Sequence, residues 1–198
     1  MIILNIDDFK KAKITIGLLI FNIISFIVFN SPMGEEFSLL FVQNNRSVIY
    51  NYEIYRLLTA IFLHADVMHL FSNMLALMIF GTTIETNYNF SRLKFLLIYF
   101  LSGLLGNLFS LIFLPLDSYS LGASGAIFGL IGAAVILIII DDPSLLIFVA
   151  LYVGYFLLAS FSPEVNIWAH IFGLLGGLLL GYIFNFNQIK QRKHNNYY

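Results

Sequence analysis

Two apolar segments each contain one residue that could take part in nucleophilic catalysis. Ser124 lies in the small-residue stretch GASGAIFG, and His170 lies in AHIFGLLGG. A serine hydroxyl is a weak nucleophile until a neighbouring base accepts its proton, and histidine is the usual base. Neither segment contains a carboxylate, so the pair would be a Ser–His dyad without an acidic member. Gly122 and Gly125 flank the serine and would allow close approach of backbone and substrate.

A third segment, HADVMHLFSN, supplies polar groups that could stabilise a developing oxyanion. His69 and Asn73 are four residues apart and therefore lie on one face of a helix. An oxyanion requires preorganised hydrogen-bond donors. The Asn73 amide, the Ser124 backbone N–H and His69 are the candidate donors. Taken singly, such a serine or histidine in an apolar helix is often a packing or hydrogen-bonding residue, so the combination carries the prediction.

The composition indicates that lipid, rather than water, surrounds most of the chain. Hydrophobic residues make up 60% of the sequence, charged residues only 11%, and the mean hydropathy is +0.88. A soluble domain has about 25% charged residues. The net charge is −1 and no basic cluster accompanies the motifs, which argues against nucleic-acid binding. The absence of cysteine excludes disulfides and thiolate metal sites, and we expect no metal or other cofactor.

The positions of the charged residues predict an all-α, polytopic membrane protein with a single membrane domain over residues 14–189. Each apolar segment is close to the about 20 residues that a helix needs to cross a bilayer. The first ends in FNSPMGEE without a typical cleavage site, so we expect a retained helix. The six predicted transmembrane helices cover approximately residues 14–30, 57–84, 95–116, 118–140, 143–163 and 165–189.

The second predicted helix is longer than necessary and should lie partly outside the hydrocarbon. The first external loop, residues 31–57, shows no evident strand or repeat, and its apolar stretches predict that it rests on the bilayer surface.

The basic residues predict the orientation of the chain. They concentrate in the N-terminal segment 1–13, in the connection after the second helix and in the tail 190–198. An even number of helices places these three segments on one side, which the positive-inside rule makes cytoplasmic. We therefore expect a multi-pass protein, in the cell membrane, with both termini inside. Ser124 and His170 should then lie at one depth, about 8–9 Å below the outer boundary at 1.5 Å per residue.

Two further features of the sequence have structural interpretations. Gly173, Gly177 and Gly181 recur every four residues on the sixth helix and predict close packing against the fourth. Such packing would bring His170 towards Ser124. Glu85, at the opposite end of the second helix from the polar cluster, is expected to anchor the end of that helix.

The three motifs, in this order and in a six-helix arrangement, resemble the rhomboid family of intramembrane serine proteases. The resemblance covers about Tyr52 to Tyr182 and implies a rhomboid-like helical bundle. It implies that Ser124 is the nucleophile and His170 the base. It also implies that His69 and Asn73 help to bind the oxyanion, as the inventory of donors suggested. His64 matches a further family histidine near the entrance of the site and is expected to support it.

The sequence departs from the family pattern at two aromatic positions. Many members carry a tyrosine four residues after the serine, and here Phe128 keeps the ring but lacks the hydroxyl. Stacking on His170 can therefore persist, whereas hydrogen bonding from that ring cannot. A Trp-Arg pair of the family's first loop corresponds to Tyr55-Arg56.

The resemblance implies that the substrates are transmembrane segments of other membrane proteins, cleaved near the outer leaflet. A substrate helix must unwind locally before a carbonyl reaches Ser124, so helix-breaking residues should favour cleavage. The resemblance also implies lateral entry from the lipid between the second and fifth helices. The segment Phe161–Asn166 (FSPEVN) would form a mobile cap over the site.

The sequence also allows four other functions to be compared with that of a rhomboid-like protease. A zinc protease requires H-E-x-x-H, which the spacing of His64 and His69 does not provide. An aspartyl protease requires two intramembrane aspartates, and none lies in the middle of a predicted span. A non-catalytic adaptor that binds transmembrane helices is the alternative to the protease. A transporter is a weaker alternative, because the polar cluster is shallow and one-sided.

Overall fold

The computed structural model describes residues 5–32, 34–87, 90–141, 143–159 and 165–195, and these are mostly helical. The helices and strands are α1 (Ile6–Lys11), α2 (Lys13–Phe29), α3 (Glu35–Phe41), β1 (Gln43–Asn44), α4 (Asn45–Tyr50), α5 (Arg56–Thr59), α6 (Val67–Ala76), α7 (Thr82–Thr86), α8 (Arg92–Phe113), β2 (Tyr119–Ser120), α9 (Ser124–Asp141), α10 (Leu146–Ala159) and α11 (Ile167–Asn195). Short 3₁₀ turns cover Ala60–Phe62 and Pro143–Leu145, and a π-helical turn over Leu77–Gly81 joins α6 to α7.

Three helices in the described part of the chain are long and apolar enough to cross a membrane: Val67–Thr86, Arg92–Phe113 and Ile167–Lys190. Three shorter apolar helices accompany them, over Lys13–Phe29, Ser124–Ile140 and Pro143–Tyr155. These six helices correspond in order to the six predicted segments.

The distribution of side chains is that of a protein surrounded by lipid. Large apolar residues are exposed along whole helix faces, as on α2 at Phe21, Ile24 and Ile27. Polar residues are buried between the helices instead, among them Asn22 of α2 and Asn185 of α11. Asn22 and Asn185 each donate an amide hydrogen to the carbonyl four residues earlier, at 2.8 Å, which satisfies that donor within the helix. An exposed apolar surface of this extent is stable only in contact with lipid or another apolar partner.

α9 and α11 pack closely because the residues between them are small. A Cβ atom at Gly173 or Gly177 would collide with the backbone carbonyl of Gly125 or Gly129 respectively. One turn further on, a Cβ atom at Gly181 would lie 2.9 Å from Ala133 Cα. Backbone therefore meets backbone along three turns of α11, as the spacing of its glycines predicted.

The first loop is folded, although its sequence shows no evident strand or repeat. It contains α3, β1 and α4, and β1 pairs antiparallel with β2, with Gln43 opposite Ser120. The Asn45 amide donates to the carbonyl oxygens of Ser110, Leu114 and Pro115 at 3.1–3.3 Å, and so satisfies acceptors at the C-terminal end of α8.

Tyr55 and Arg56 hold the first loop in place. The buried Arg56 guanidinium donates to the carbonyl oxygens of Leu39 at 2.5 Å and Val42 at 2.8 Å, and it forms an ion pair with Glu53. The hydrogen bond from Arg56 lowers the pKa of Glu53. The Tyr55 hydroxyl donates to the Leu40 carbonyl at 3.0 Å. Tyr55 and Arg56, which correspond to the family's Trp-Arg pair, therefore stabilise the fold of the first loop.

Glu85 anchors a helix end, as expected, but it anchors the start of α2 rather than the end of its own helix. Its carboxylate accepts hydrogen bonds from the backbone N–H groups of Ile14 and Thr15 at 2.8 and 2.7 Å, and from the Thr15 hydroxyl at 2.8 Å. These N–H groups belong to the first turn of α2, where no intrahelical acceptor exists. A carboxylate there also complements the positive end of the helix dipole.

The helices that carry Ser124 and His170 begin later than the sequence analysis placed them. α9 begins at Ser124 rather than Ser118, because the preceding residues form β2 and Gly122 adopts φ +124°, a conformation that glycine tolerates. α11 begins at Ile167 and continues to Asn195, through most of the predicted tail. The predicted depth of Ser124 assumed a continuous helix over residues 118–124, and it therefore no longer follows.

Replacing Gly177 by Ala should destabilise the protein, because the added methyl group would collide with the Gly129 carbonyl. We expect a loss of about 1–3 kcal/mol, typical of overpacking, measured by thermal unfolding in detergent. Gly154→Ala on α10 is the matched control, since a Cβ atom there meets nothing within 4 Å. Equal stability losses in both variants would contradict the packing described.

Candidate active site

Ser124 and His170 are brought into direct contact. Ser124 is the first residue of α9, and His170 lies in the first turn of α11, 46 residues later. His170 Nε2 lies 2.7 Å from Ser124 Oγ. The serine is partly exposed, whereas the histidine is 8% exposed. At this distance a neutral imidazole can accept the hydroxyl proton while the serine oxygen attacks an electrophile.

Phe128 orients the imidazole. Its ring stacks on that of His170, with centroids 4.5 Å apart and an interplanar angle of 22°. Phe128 lies one turn after Ser124 on α9, so the same helix carries the hydroxyl and the aromatic ring that restrains its partner. The stacking expected from the sequence is present without the tyrosine hydroxyl.

His69 and Asn73 lie beside the residues that lead into Ser124. A Cβ atom on Gly122 would be 2.7 Å from His69 Nε2 and 3.7 Å from Asn73 Nδ2, so both side chains face the open side of this glycine. Asn73 is buried, and its Nδ2 has no acceptor among the described residues. A buried amide without a partner is costly. This donor is therefore available to an oxygen atom bound in the site.

The start of α9 supplies a further donor. Ser124 occupies the first helical position, where a backbone N–H has no intrahelical acceptor. The positive end of the α9 helix dipole lies at the same position and favours a negative charge there. This N–H group lies two residues along the chain from Gly122, which the side chains of His69 and Asn73 face.

His64 lies next to His69. It is buried, and its ring meets that of His69 edge to face with centroids 5.1 Å apart. It also lines a cavity of about 380 Å³ between the first loop and the segment before α6, together with Leu39, Leu63 and Tyr119. His64 thus reaches the site through its contact with His69.

The two glycines beside the serine have different surroundings. Gly122 faces His69 and Asn73, in keeping with a role at the site. Gly125 faces α11, where a Cβ atom would lie 3.3 Å from the Ala169 carbonyl oxygen. Gly125 therefore takes part in helix packing, together with Gly173.

The sequence analysis assigned Asn166 to a mobile cap over Phe161–Asn166. Residues 161–164 of that segment lie outside the described residues. Asn166 itself is fixed: its side chain accepts a hydrogen bond from Ala169 N at 3.1 Å and donates to two serine hydroxyls. An Asn directly before an apolar helix is a signal for a helix N-cap, which could have identified this role from the sequence.

Comparison with known proteins establishes the family. The Rhomboid domain matches residues 51–186, which is more than half of the chain. The chain belongs to the rhomboid family, and with its apolar helices it is a membrane protein.

Relatives come from plants, bacteria and a protozoan parasite. The chain is 37% identical to RHOMBOID-like protein 7 of Arabidopsis thaliana, over 69% of this chain and 44% of that protein. It is 35% identical to the Putative rhomboid protease YdcA of Bacillus subtilis, over 67% and 68% of the two chains. It is 32% identical to Rhomboid-like protease 3 of Toxoplasma gondii, over 90% and 70%. The chain thus spans less than half the length of the Arabidopsis relative.

Removing the Phe128 ring should slow the reaction of Ser124 with a fluorophosphonate probe. Without stacking, His170 samples other orientations and accepts the proton less often, and we expect Phe128→Ala to lower the labelling rate about tenfold. Phe128→Tyr preserves the ring and should retain the rate. Equal rates for wild type and Phe128→Ala would show that the ring does not orient the imidazole.

Proposed function

We propose that this protein is an intramembrane serine endopeptidase that cleaves transmembrane segments of other membrane proteins near the outer leaflet. The observation that carries the proposal is the 2.7 Å contact between Ser124 Oγ and His170 Nε2. Membership of the rhomboid family, and relatives that are named as proteases, support the same activity.

The reaction proceeds through an acyl-enzyme. Ser124 Oγ attacks the carbonyl carbon of the scissile peptide bond while its proton passes to His170 Nε2. The imidazolium then donates this proton to the leaving amine as the C–N bond breaks, which leaves an ester on Ser124. A water molecule attacks the ester carbonyl carbon and gives one proton to His170 Nε2. The resulting tetrahedral intermediate collapses with cleavage of the bond to Ser124 Oγ and releases the new carboxylic acid. Ser124 finally regains a proton from the imidazolium.

The oxyanion of each tetrahedral intermediate is bound by three donors. These are the Asn73 amide, the Ser124 backbone N–H and His69. Donors fixed in advance in a site that excludes bulk water stabilise the transition state with little reorganisation. The unpartnered Nδ2 of Asn73 supports this assignment.

The substrate is a membrane-embedded helix that unwinds locally and enters sideways. Entry lies between the second membrane helix, α6–α7, and the fifth, α10. The partners are transmembrane protein substrates and lipid, and the reaction uses neither metal nor nucleic acid.

We also propose that the chain crosses the membrane six times and has both termini in the cytoplasm. The six apolar helices and the basic residues near the two ends and after α7 support this topology. The partly exposed Ser124 would then face the outer aqueous side, from which the hydrolytic water comes.

Removing either member of the dyad should abolish proteolysis. We expect Ser124→Ala and His170→Ala to reduce cleavage of tagged single-span proteins in liposomes by at least about 10³-fold, since each acts in every proton transfer. Cleavage is followed by mass spectrometry of the fragments, and thermal unfolding checks the fold. Persistent cleavage by Ser124→Ala would refute the mechanism. Substrate binding by wild type without cleavage would favour the adaptor function.

Truncating Asn73 should lower kcat more than it raises KM, because the oxyanion forms only after binding. We expect Asn73→Ala to reduce kcat by about 10²–10³-fold, the range for one lost oxyanion donor. The neighbouring exposed Ser72, changed to Ala, is the control and should leave kcat unchanged. An unaltered kcat in Asn73→Ala would remove this amide from the oxyanion site.

A further inference from the structure

We propose that Asn166 is a positioning residue that sets the distance between the base and the nucleophile. It touches neither substrate nor the reacting atoms, and it acts through the elements that carry Ser124 and His170. The inference rests on the proposed function, since it concerns the same dyad.

The Asn166 side chain makes one hydrogen bond within its own helix. Its Oδ1 accepts from Ala169 N at 3.1 Å, which makes Asn166 the N-cap of α11. Because a backbone N–H can only donate, this contact fixes the amide with its oxygen towards α11 and its nitrogen away from it. Ala169 directly precedes His170, so the cap orders the turn that presents the imidazole.

The amide nitrogen bridges two other elements. Asn166 Nδ2 donates to Ser110 Oγ in α8 at 2.7 Å and to Ser120 Oγ in β2 at 2.9 Å. Both serines are buried. The Ser110 hydroxyl in turn donates to the Gly106 carbonyl at 2.8 Å, so it is held as an acceptor for the amide. Both amide hydrogens therefore have a buried partner.

This bridge connects the base to the strand that leads to the nucleophile. Ser120 ends β2, four residues before Ser124, and is held from its other side by pairing with Gln43. α8 packs directly against the first turn of α11, because a Cβ atom on Gly106 would lie 2.6 Å from the Ala169 carbonyl oxygen. One side chain thus links the starts of the two segments whose approach produces the 2.7 Å contact.

A residue that served only to cap the helix would not need the bridge. Serine is an equally good N-cap but is too short to present a donor to both hydroxyls. Asn166→Ser should therefore separate the two tasks: it retains an acceptor for Ala169 N and loses both hydrogen bonds from Nδ2.

The test measures kcat and KM for cleavage of a single-span substrate in liposomes, per active site titrated to completion with a fluorophosphonate. We expect Asn166→Ser to lower kcat about tenfold with little change in KM, because a displaced base slows proton transfer but does not alter substrate binding. Ser120→Ala should also lower kcat. The double variant should be no slower than Asn166→Ser, since the two changes remove one shared contact.

Asn185→Ala is the matched control. It removes another buried asparagine of α11, whose Nδ2 donates to the Gly181 carbonyl at 2.8 Å, far along the helix from His170. It should lower the unfolding temperature and leave kcat per titrated site unchanged. If Asn166→Ser fails to fold, Ser120→Ala decides the question, and a wild-type kcat in that variant would overturn the positioning role.

The outcomes separate this inference from the proposed function. Wild-type kcat in Asn166→Ser, or an equal loss of kcat in Asn185→Ala, would overturn the positioning role alone. Wild-type protein that neither cleaves nor labels would overturn the proposed function and the inference with it.

Discussion

The site depends on the approach of two helix backbones. Ser124 and His170 can share a hydrogen bond because glycines at positions 125, 129, 173 and 177 allow the backbones of α9 and α11 to touch. In lipid there is little hydrophobic gain from helix association, so such close packing is a principal source of stability. The same contacts that hold the bundle together thus fix the geometry of the proposed chemistry.

A serine hydroxyl and an imidazole inside an apolar bundle also need polar support. The pairing of β1 with β2 joins the first loop to the segment before Ser124, the Asn45 contacts join the loop to the end of α8, and the Arg56 contacts connect parts of the loop to one another. This loop is therefore part of the scaffold of the site. The side chains of Asn45 and Arg56 satisfy several backbone carbonyl oxygens of this region within the protein, as burial in a bilayer favours.

Much of this arrangement was accessible from the sequence, because membrane helices have strong and simple signals. Hydropathy located the six apolar segments, and the glycine spacing indicated the face by which α11 packs. The combination of Ser124, His170, His69 and Asn73 predicted a cluster that the structure brings together at adjacent positions. The orientation in the membrane and the roles in catalysis stay predictions.

Other features were not accessible, because they arise from tertiary contacts. Hydropathy does not distinguish residues 118–123, which form a strand and a turn, from the apolar helix that follows at Ser124. The folded first loop depends on contacts between residues about 14–70 positions apart, such as those of Arg56 and Asn45. The local sequence pattern contains no information about which of these distant residues contact one another.

The central claim is that Ser124 is the nucleophile, and the location of a covalent adduct tests it most directly. Wild-type protein in liposomes is reacted with a peptidyl fluorophosphonate and digested for peptide mapping by mass spectrometry. The account predicts one phosphonyl group per chain, on Ser124, and none after denaturation before labelling. An adduct on a different serine, or none in a preparation that cleaves a transmembrane substrate, would contradict it.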